Sequence, residues 1–170
     1  MDAETLRQLQ APLKDRYRHD AVAALITLSA TGTLDADGVA CRVETGRALA
    51  AAGLHPATGG DGSFICSGDM LLEALVACAG VTLRAVALAV GVDVRGGCVS
   101  AEGDLDVRGT LGVAKDAPVG FRAIRLEFAL DTDADDDTLR TLLRLTERYC
   151  VVLQTLRAGA AVASDIVALR

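Results

Sequence analysis

The longest unbroken pattern in the chain is the stretch Ser67–Val90, SGDMLLEALVACAGVTLRAVALAV, apolar on nearly every side and free of proline. It predicts one long helix, roughly 35 Å at about 1.5 Å per residue, wrapped by protein on most of its circumference. Ser67 is the expected N-cap. Asp69 puts a carboxylate in the first turn, where unpaired N–H groups favour it, and Gly91 stops the helix. At about 100° per residue, Asp69, Glu73, Gly80 and Arg84 share one narrow stripe. Cys78 lies about 140° from that stripe, among Leu71, Ala74, Leu75, Val81, Thr82 and Ala85.

The pattern elsewhere is shorter-ranged. Residues 2–20 read as a polar helical arm with a thin seam of Leu6, Leu9 and Leu13, bent at Pro12. From Ala23 to Leu34 the alternation switches to period two. Asp35-Ala36-Asp37-Gly38 is a hairpin turn, after which Val39, Cys41 and Val43 take one strand face and Arg42 and Glu44 the other. RALAAAGLHP (47–56) fits a strand or a helical turn. The glycine-rich loop ATGGDGSF (57–64) lacks the spacing and the lysine of a phosphate cradle.

Beyond the long helix, Val92-Asp93-Val94 leads into GGCVSAEGDLDVRGTLG, a glycine-punctuated strand or bent pair, and Pro118-Val119-Gly120 makes a turn. FRAIRLEFALD is the cleanest strand, with Ile124, Leu126, Phe128 and Leu130 on one face and Arg125 and Glu127 on the other. The acidic run 131–137 reads as a solvated loop entering a helix from about Thr138 to Tyr149, whose apolar face is Leu139, Leu142, Leu143 and Leu145. It has too few of the features of a calcium loop, lacking its glycine and distal glutamate. Cys150 falls at the helix end, VVLQTLRAG continues as another helical piece, and AAVASDIVALR is expected to close the sheet as an edge strand. With no repeat or linker, the order predicts a single α+β domain over 1–170, helices gathered on one side of an antiparallel sheet.

A chain of 170 residues is long enough to hide a central helix. Its 51% apolar content with only 3% aromatics means a core of Ala, Val and Leu, in which elements approach closely. An extended apolar surface left over would call for a partner subunit. Net charge −6 and a pI near 4.8 argue against nucleic acid or anionic membrane as ligands. A membrane span is also disfavoured, because Glu73 and Arg84 sit well inside the long helix and no basic cluster flanks it. The charged start MDAETLRQLQAPLKDRYRHD is no signal peptide, so a cytoplasmic, reducing location is expected.

Cys41, Cys66, Cys78, Cys98 and Cys150 include no CxxC pair, and an odd number in a reducing compartment argues against a disulfide framework. His19 and His55 are isolated from acidic or thiol neighbours, so no metal site is expected.

GDMLLEALVACAGVTL around Cys78 and LTERYCVVLQTL around Cys150 resemble the paired cysteine motifs of the OsmC/Ohr family. The order of hairpin, glycine-rich loop, cysteine-bearing helix and late cysteine matches over nearly the whole chain, and the two motifs together are more specific than either alone. The resemblance implies an OsmC-like α+β fold with antiparallel sheets packed on a long buried central helix, in an intertwined homodimer with sites at the interface. It further implies a cofactor-free peroxidase of the oxidative stress response, acting on organic hydroperoxides and recycled by a dithiol such as a lipoyl group. In that chemistry Cys78 is the attacking thiol and Cys150 the resolving one, while Asp69 takes the place of a glutamate that orients a catalytic arginine. The family usually has that arginine in or beside the first hairpin turn. Here Arg42 is the nearest, with Arg47, Arg16 and Arg18 as others, and Cys150 is followed by Val151 where the family commonly shows Cys-Pro. These departures mark a divergent branch. The competing reading is a catalytically idle OsmC-like homodimer that binds a small apolar ligand at its interface.

Physical chemistry adds a condition. A free thiol, with a pKa of about 8.5, is only a few per cent thiolate at neutral pH. Cys78 is mid-helix, where no dipole end of its own helix helps, and its neighbours are apolar. Ionisation is therefore expected to need a cation from another segment. Arg84 points about 120° away from Cys78 and Asp69 lies on the far side of the helix.

Overall fold

The computed structural model describes residues 4, 5, 8, 10, 11, 19, 31–34, 40–44, 49–112 and 114–168, of which 31–34, 40–44 and 49 are described as backbone only. Most of the expected N-terminal arm, the strand before Thr31 and the turn at 35–38 lie outside the described residues. Strands β1 (Thr31–Leu34) and β2 (Ala40–Glu44) pair antiparallel, Leu34 opposite Cys41, as a hairpin requires. The ambiguous segment after them is a strand, β3 (Leu49–Gly53), antiparallel to β2. A 3₁₀ turn at Pro56–Thr58 follows, its first N–H groups held by the His55 side chain, whose Nδ1 accepts from Ala57 N at 3.0 Å. Then β4 (Ile65–Cys66) joins β3 in parallel, so the first sheet is mixed rather than purely antiparallel.

The long helix, α1 (Ser67–Val90), is present over the expected span and ends at Gly91 in the left-handed conformation (φ 75°). Its cap is not Ser67. Ser67 is already the first helical residue, and the Cys66 sulfur one position earlier accepts the Gly68 N–H at 3.4 Å. Nor do the described residues wrap α1 all round. Leu75, Ala79, Leu83, Val86 and Ala87 form one buried stripe, whereas Leu71 is partly open and Val81 is 73% exposed. The helix meets the length and composition of a membrane span, yet its buried stripe is covered by protein on the elements that follow.

Strand β5 (Gly96–Leu105) and strand β6 (Phe121–Asp131) form a separate two-stranded antiparallel sheet. The glycine-punctuated segment is thus one long strand, followed by a short helix, α2 (Val107–Thr110), that Asp106 caps by accepting from Arg108 N at 3.2 Å. Gly103 is where the Phe121 ring lies against the neighbouring backbone; a Cβ there would stand 2.5 Å from the ring. As the alternation predicts, Ile124, Leu126, Phe128 and Leu130 turn inward and Arg125 outward, where it pairs with Glu102 and Asp104 across the strands.

Helix α3 (Asp136–Tyr149) starts earlier than expected, because Asp135 accepts the Thr138 N–H at 2.8 Å and so caps it. Leu142, Thr146 and Cys150, spaced by four, are its buried stripe, while Leu143 is 44% exposed. Helix α4 (Val151–Ala158) follows with one residue between. The final segment, 159–168, is exposed and forms no strand, which corrects the expected edge strand. Gly, Ala, Ser and Asp dominate it, residues that fit a pleated half-buried surface poorly.

The core has two parts: Leu83, Val86, Ala87, Val94 and Leu142 at one end of α1, and Leu75, Ala79 and Cys150 at the other, packed with Cys78, Val99, Ile124, Leu126 and Leu153. Leu75 is fully buried. We expect Leu75→Ala to lower unfolding free energy by about 2–5 kcal/mol, as a loss of transfer energy plus a cavity, read as a lower denaturant midpoint at unchanged slope.

Candidate active site

The site is built where α3 stops. Tyr149, Cys150, Val151 and Val152 are all among the poorer helix formers, the two valines stiff at χ1. Cys150 leaves the helix with φ −73° and ψ 109°. Its own N–H makes the last bond of α3, to Thr146 C=O at 2.9 Å, and its C=O receives the first bond of α4, from Gln154 N–H at 2.9 Å. The N–H groups of Val151 and Val152 therefore have no carbonyl of α3 to return to. They are the first donors of a new helix, aimed outward.

What they meet is Cys78. The cysteine sits half-buried in the middle of α1, in the same cluster as fully buried Cys150. Burial pushes the Cys78 thiol up, but the N–H groups of Val152 and Val151, the Cys150 thiol and the Thr82 hydroxyl all favour its thiolate, and the outcome is a pKa below the ordinary thiol value. For Cys150 burial dominates. With a thiolate developing at Cys78 beside it, its pKa is raised. Two thiols far apart in sequence thus stand together with opposite ionisation preferences.

The break is braced on its other side. Glu147 on α3 and Arg157 on α4 form a forked ion pair, Nη2–Oε1 2.8 Å and Nη1–Oε2 3.2 Å. The Gln154 amide donates to Glu147 C=O at 2.8 Å. Arg148, beside them, lies over the Tyr149 ring, 5.4 Å from its centroid. A cavity of about 410 Å³ adjoins this corner, lined by Leu75, Ile124, Leu126, Leu153 and Leu156 with Arg122, Glu147 and Arg157 as its charged members.

The other residues singled out in the sequence are elsewhere. Asp69 is exposed in the first turn of α1, nine residues before Cys78 and so about 13 Å along the axis; it lines a separate cavity with His55, Cys66 and Glu73. Arg84 donates to Val94 C=O and is directed away from the thiols. Arg42 stands in β2 opposite Ala51, its side chain outside the described residues, as are Arg16, Arg18 and Arg47. Among the described residues no cluster of His, Cys, Asp and Glu could hold a metal ion. The guanidinium groups expected to bring a cation to Cys78, those of Arg42, Arg47, Arg16 and Arg18, all lie outside the described residues. Backbone donors of α4 act on Cys78, and the sequence signal for them was the run of weak helix formers at 149–152.

The opposite pKa directions are testable. Because the folded pKa of Cys78 is depressed, its contribution to stability is present above the unfolded thiol pKa and lost as pH falls through the folded one; for Cys150 the contribution is present at low pH and lost as pH rises through its folded value. Timed iodoacetamide labelling across pH, read by peptide mass spectrometry, should give Cys78 a midpoint below that of an ordinary thiol and Cys150 one above it.

The family model for OsmC-like proteins matches residues 60–165, more than half of the chain. None of the curated proteins compared with the chain matches it. Among solved structures, an OsmC-like protein from Mycoplasma pneumoniae superposes with a TM-score of 0.66 at 16% identity, covering 79% of this chain and 89% of that one. An organic hydroperoxide resistance protein, OsmC, from Legionella pneumophila gives 0.62 at 15% identity over 79% and 92%. The organic hydroperoxide resistance protein OhrB of Bacillus subtilis gives 0.52 at 18% over 79% and 93%. At these identities the superpositions speak for the fold, and with the family match the conclusion is that this chain belongs to the OsmC-like proteins.

Proposed function

We propose that the protein is a thiol-dependent peroxidase that reduces organic hydroperoxides through Cys78 and Cys150. The observation that carries this reading is the contact between one thiol biased toward thiolate and a second biased toward thiol. The Cys78 thiolate attacks the distal oxygen of ROOH, the O–O bond breaks, and the alkoxide leaves as ROH after taking a proton. Cys78 is then a sulfenic acid. The Cys150 sulfur attacks it, water departs, and a Cys78–Cys150 disulfide remains for an external dithiol, such as a lipoyl group, to reduce. The low-pKa thiol must be the attacker, since the thiolate is the nucleophile, and the neighbour kept protonated supplies the proton that the alkoxide needs.

The cavity beside Leu75 and Leu153 has leucine walls for the hydrocarbon part of such a substrate and a charged edge of Arg122, Glu147 and Arg157. Arg42 and Asp69 take the supporting role that the family resemblance implies, a guanidinium for the departing oxygen and a carboxylate to orient it, across an intertwined homodimer. The exposed apolar side of α1, with Val81 at 73%, gives a second subunit something to cover. A cytoplasmic place in the oxidative stress response fits this chemistry, and no cofactor takes part in it.

One equivalent of cumene hydroperoxide added to reduced protein should consume two thiols and yield a Cys78–Cys150 peptide. Cys78→Ser should abolish turnover, and Cys150→Ser should stop at a sulfenic acid that over-oxidises. An unchanged thiol count would instead favour an idle OsmC-like homodimer that binds a small apolar ligand at its interface.

A further inference from the structure

In an uninterrupted helix the Val151 N–H would bond Glu147 C=O and the Val152 N–H would bond Arg148 C=O. Here neither bonds an α3 carbonyl, Val152 packs in the same cluster as Cys78 and Cys150, and both N–H groups favour the Cys78 thiolate. The Glu147 carbonyl that Val151 abandons is not left empty, because the Gln154 side-chain amide occupies it at 2.8 Å. The same Glu147 holds Arg157 through its carboxylate, across the break, with both guanidinium arms engaged. Gln154 and Arg157 are three apart on α4 and so lie on one face of it. That face is tied to the end of α3. The brace is exposed and adds little to global stability, but it fixes the angle at which α4 starts.

We propose that Glu147, Gln154 and Arg157 are positioning residues: they hold the one-residue break at Cys150 open, so that the N–H groups of Val151 and Val152 stay turned onto the Cys78 sulfur instead of closing onto Glu147 and Arg148. The inference rests on Cys78 being the reacting thiol. Among the described residues, Cys150 at the break and Thr82 on α1 also act on that sulfur, while β5 contributes apolar Val99 and Ala101 to the cluster.

Two kinds of variant test it, both read by the pH midpoint of iodoacetamide labelling at Cys78, with helicity followed by circular dichroism. Val151→Pro deletes one donor and little else. Proline suits the first position of a helix, and Cys150 already has the extended backbone that precedes proline. The midpoint should rise by about half a pH unit. Gln154→Leu with Arg157→Ala loosens the brace and should raise it by about one unit, a roughly tenfold loss of thiolate at pH 7. Exchanging the charges, Glu147→Arg with Arg157→Glu, should bring the midpoint back toward wild type relative to Glu147→Arg alone.

An unchanged midpoint in the folded Gln154→Leu/Arg157→Ala protein would overturn the proposal, as would a charge exchange no better than the single variant. Should the double variant not fold, Gln154→Leu alone decides in the same way: a raised midpoint supports the brace and an unchanged one overturns it. The assay needs no peroxide. A raised midpoint in a protein that consumes no hydroperoxide would therefore leave this inference standing and remove only the peroxidase reading.

Discussion

A sulfur in the middle of a helix cannot be ionised by that helix, because every N–H near it is already bonded four residues back. Beyond side chains such as Thr82, backbone donors come from the start of another helix, and a helix can start beside Cys78 only if the preceding one stops there. The one-residue break at Cys150 meets that demand. Leu142, Thr146 and Cys150 run as one buried stripe along α3. Cys150 shares its cluster with Leu75 and Ala79 of α1, so the break arrives at the level of Cys78. Once it is there, the second thiol is adjacent as a matter of geometry.

The same placement separates the two sulfurs chemically. Both are removed from water, which by itself favours the neutral form of each. Cys78 also receives two backbone N–H groups, a hydroxyl and a thiol, enough to reverse the sign. Cys150 faces the thiolate that results, which adds to its burial rather than opposing it. Donors of α4 act on both sulfurs, Val152 and Val151 on Cys78 and Leu153 and Val152 on Cys150, and the asymmetry arises because burial and the neighbouring Cys78 outweigh them only at Cys150. One turn before Cys150 on the buried stripe, the Thr146 hydroxyl has no hydrogen-bond partner among the described residues.

Much of this was legible in the residues. The bounds of α1 and β6 and the inward faces of β6 followed from period and punctuation, because long, strongly periodic segments specify themselves. The pairing of Cys78 with Cys150 came through family resemblance, not through any pattern in the residues themselves. What was not legible depended on neighbours. Ser67 and Cys66 compete for the cap of α1, and only the backbone angle at Cys66 decides. The segment 159–168 has apolar residues at strand-like spacing, but a strand needs a ladder as well as a pattern, and Val162 and Ile166 remain exposed. The α4 donors at Cys78 were not legible because they belong to a helix more than one element away in sequence.

Two departures from the family pattern then become one. A proline after Cys150 would begin α4 equally well, but it would bring no N–H. Val151 begins the helix and keeps its donor, and that donor favours the Cys78 thiolate. A chain whose first hairpin turn lacks the usual arginine has a use for an additional neutral donor at the sulfur. A neutral donor differs from a guanidinium in one consequential way, since its attraction for the thiolate is short-ranged and acts only while α4 holds its angle. On the proposed bracing, the local geometry of residues 147–157 then bears on the Cys78 thiolate alongside any guanidinium brought to it.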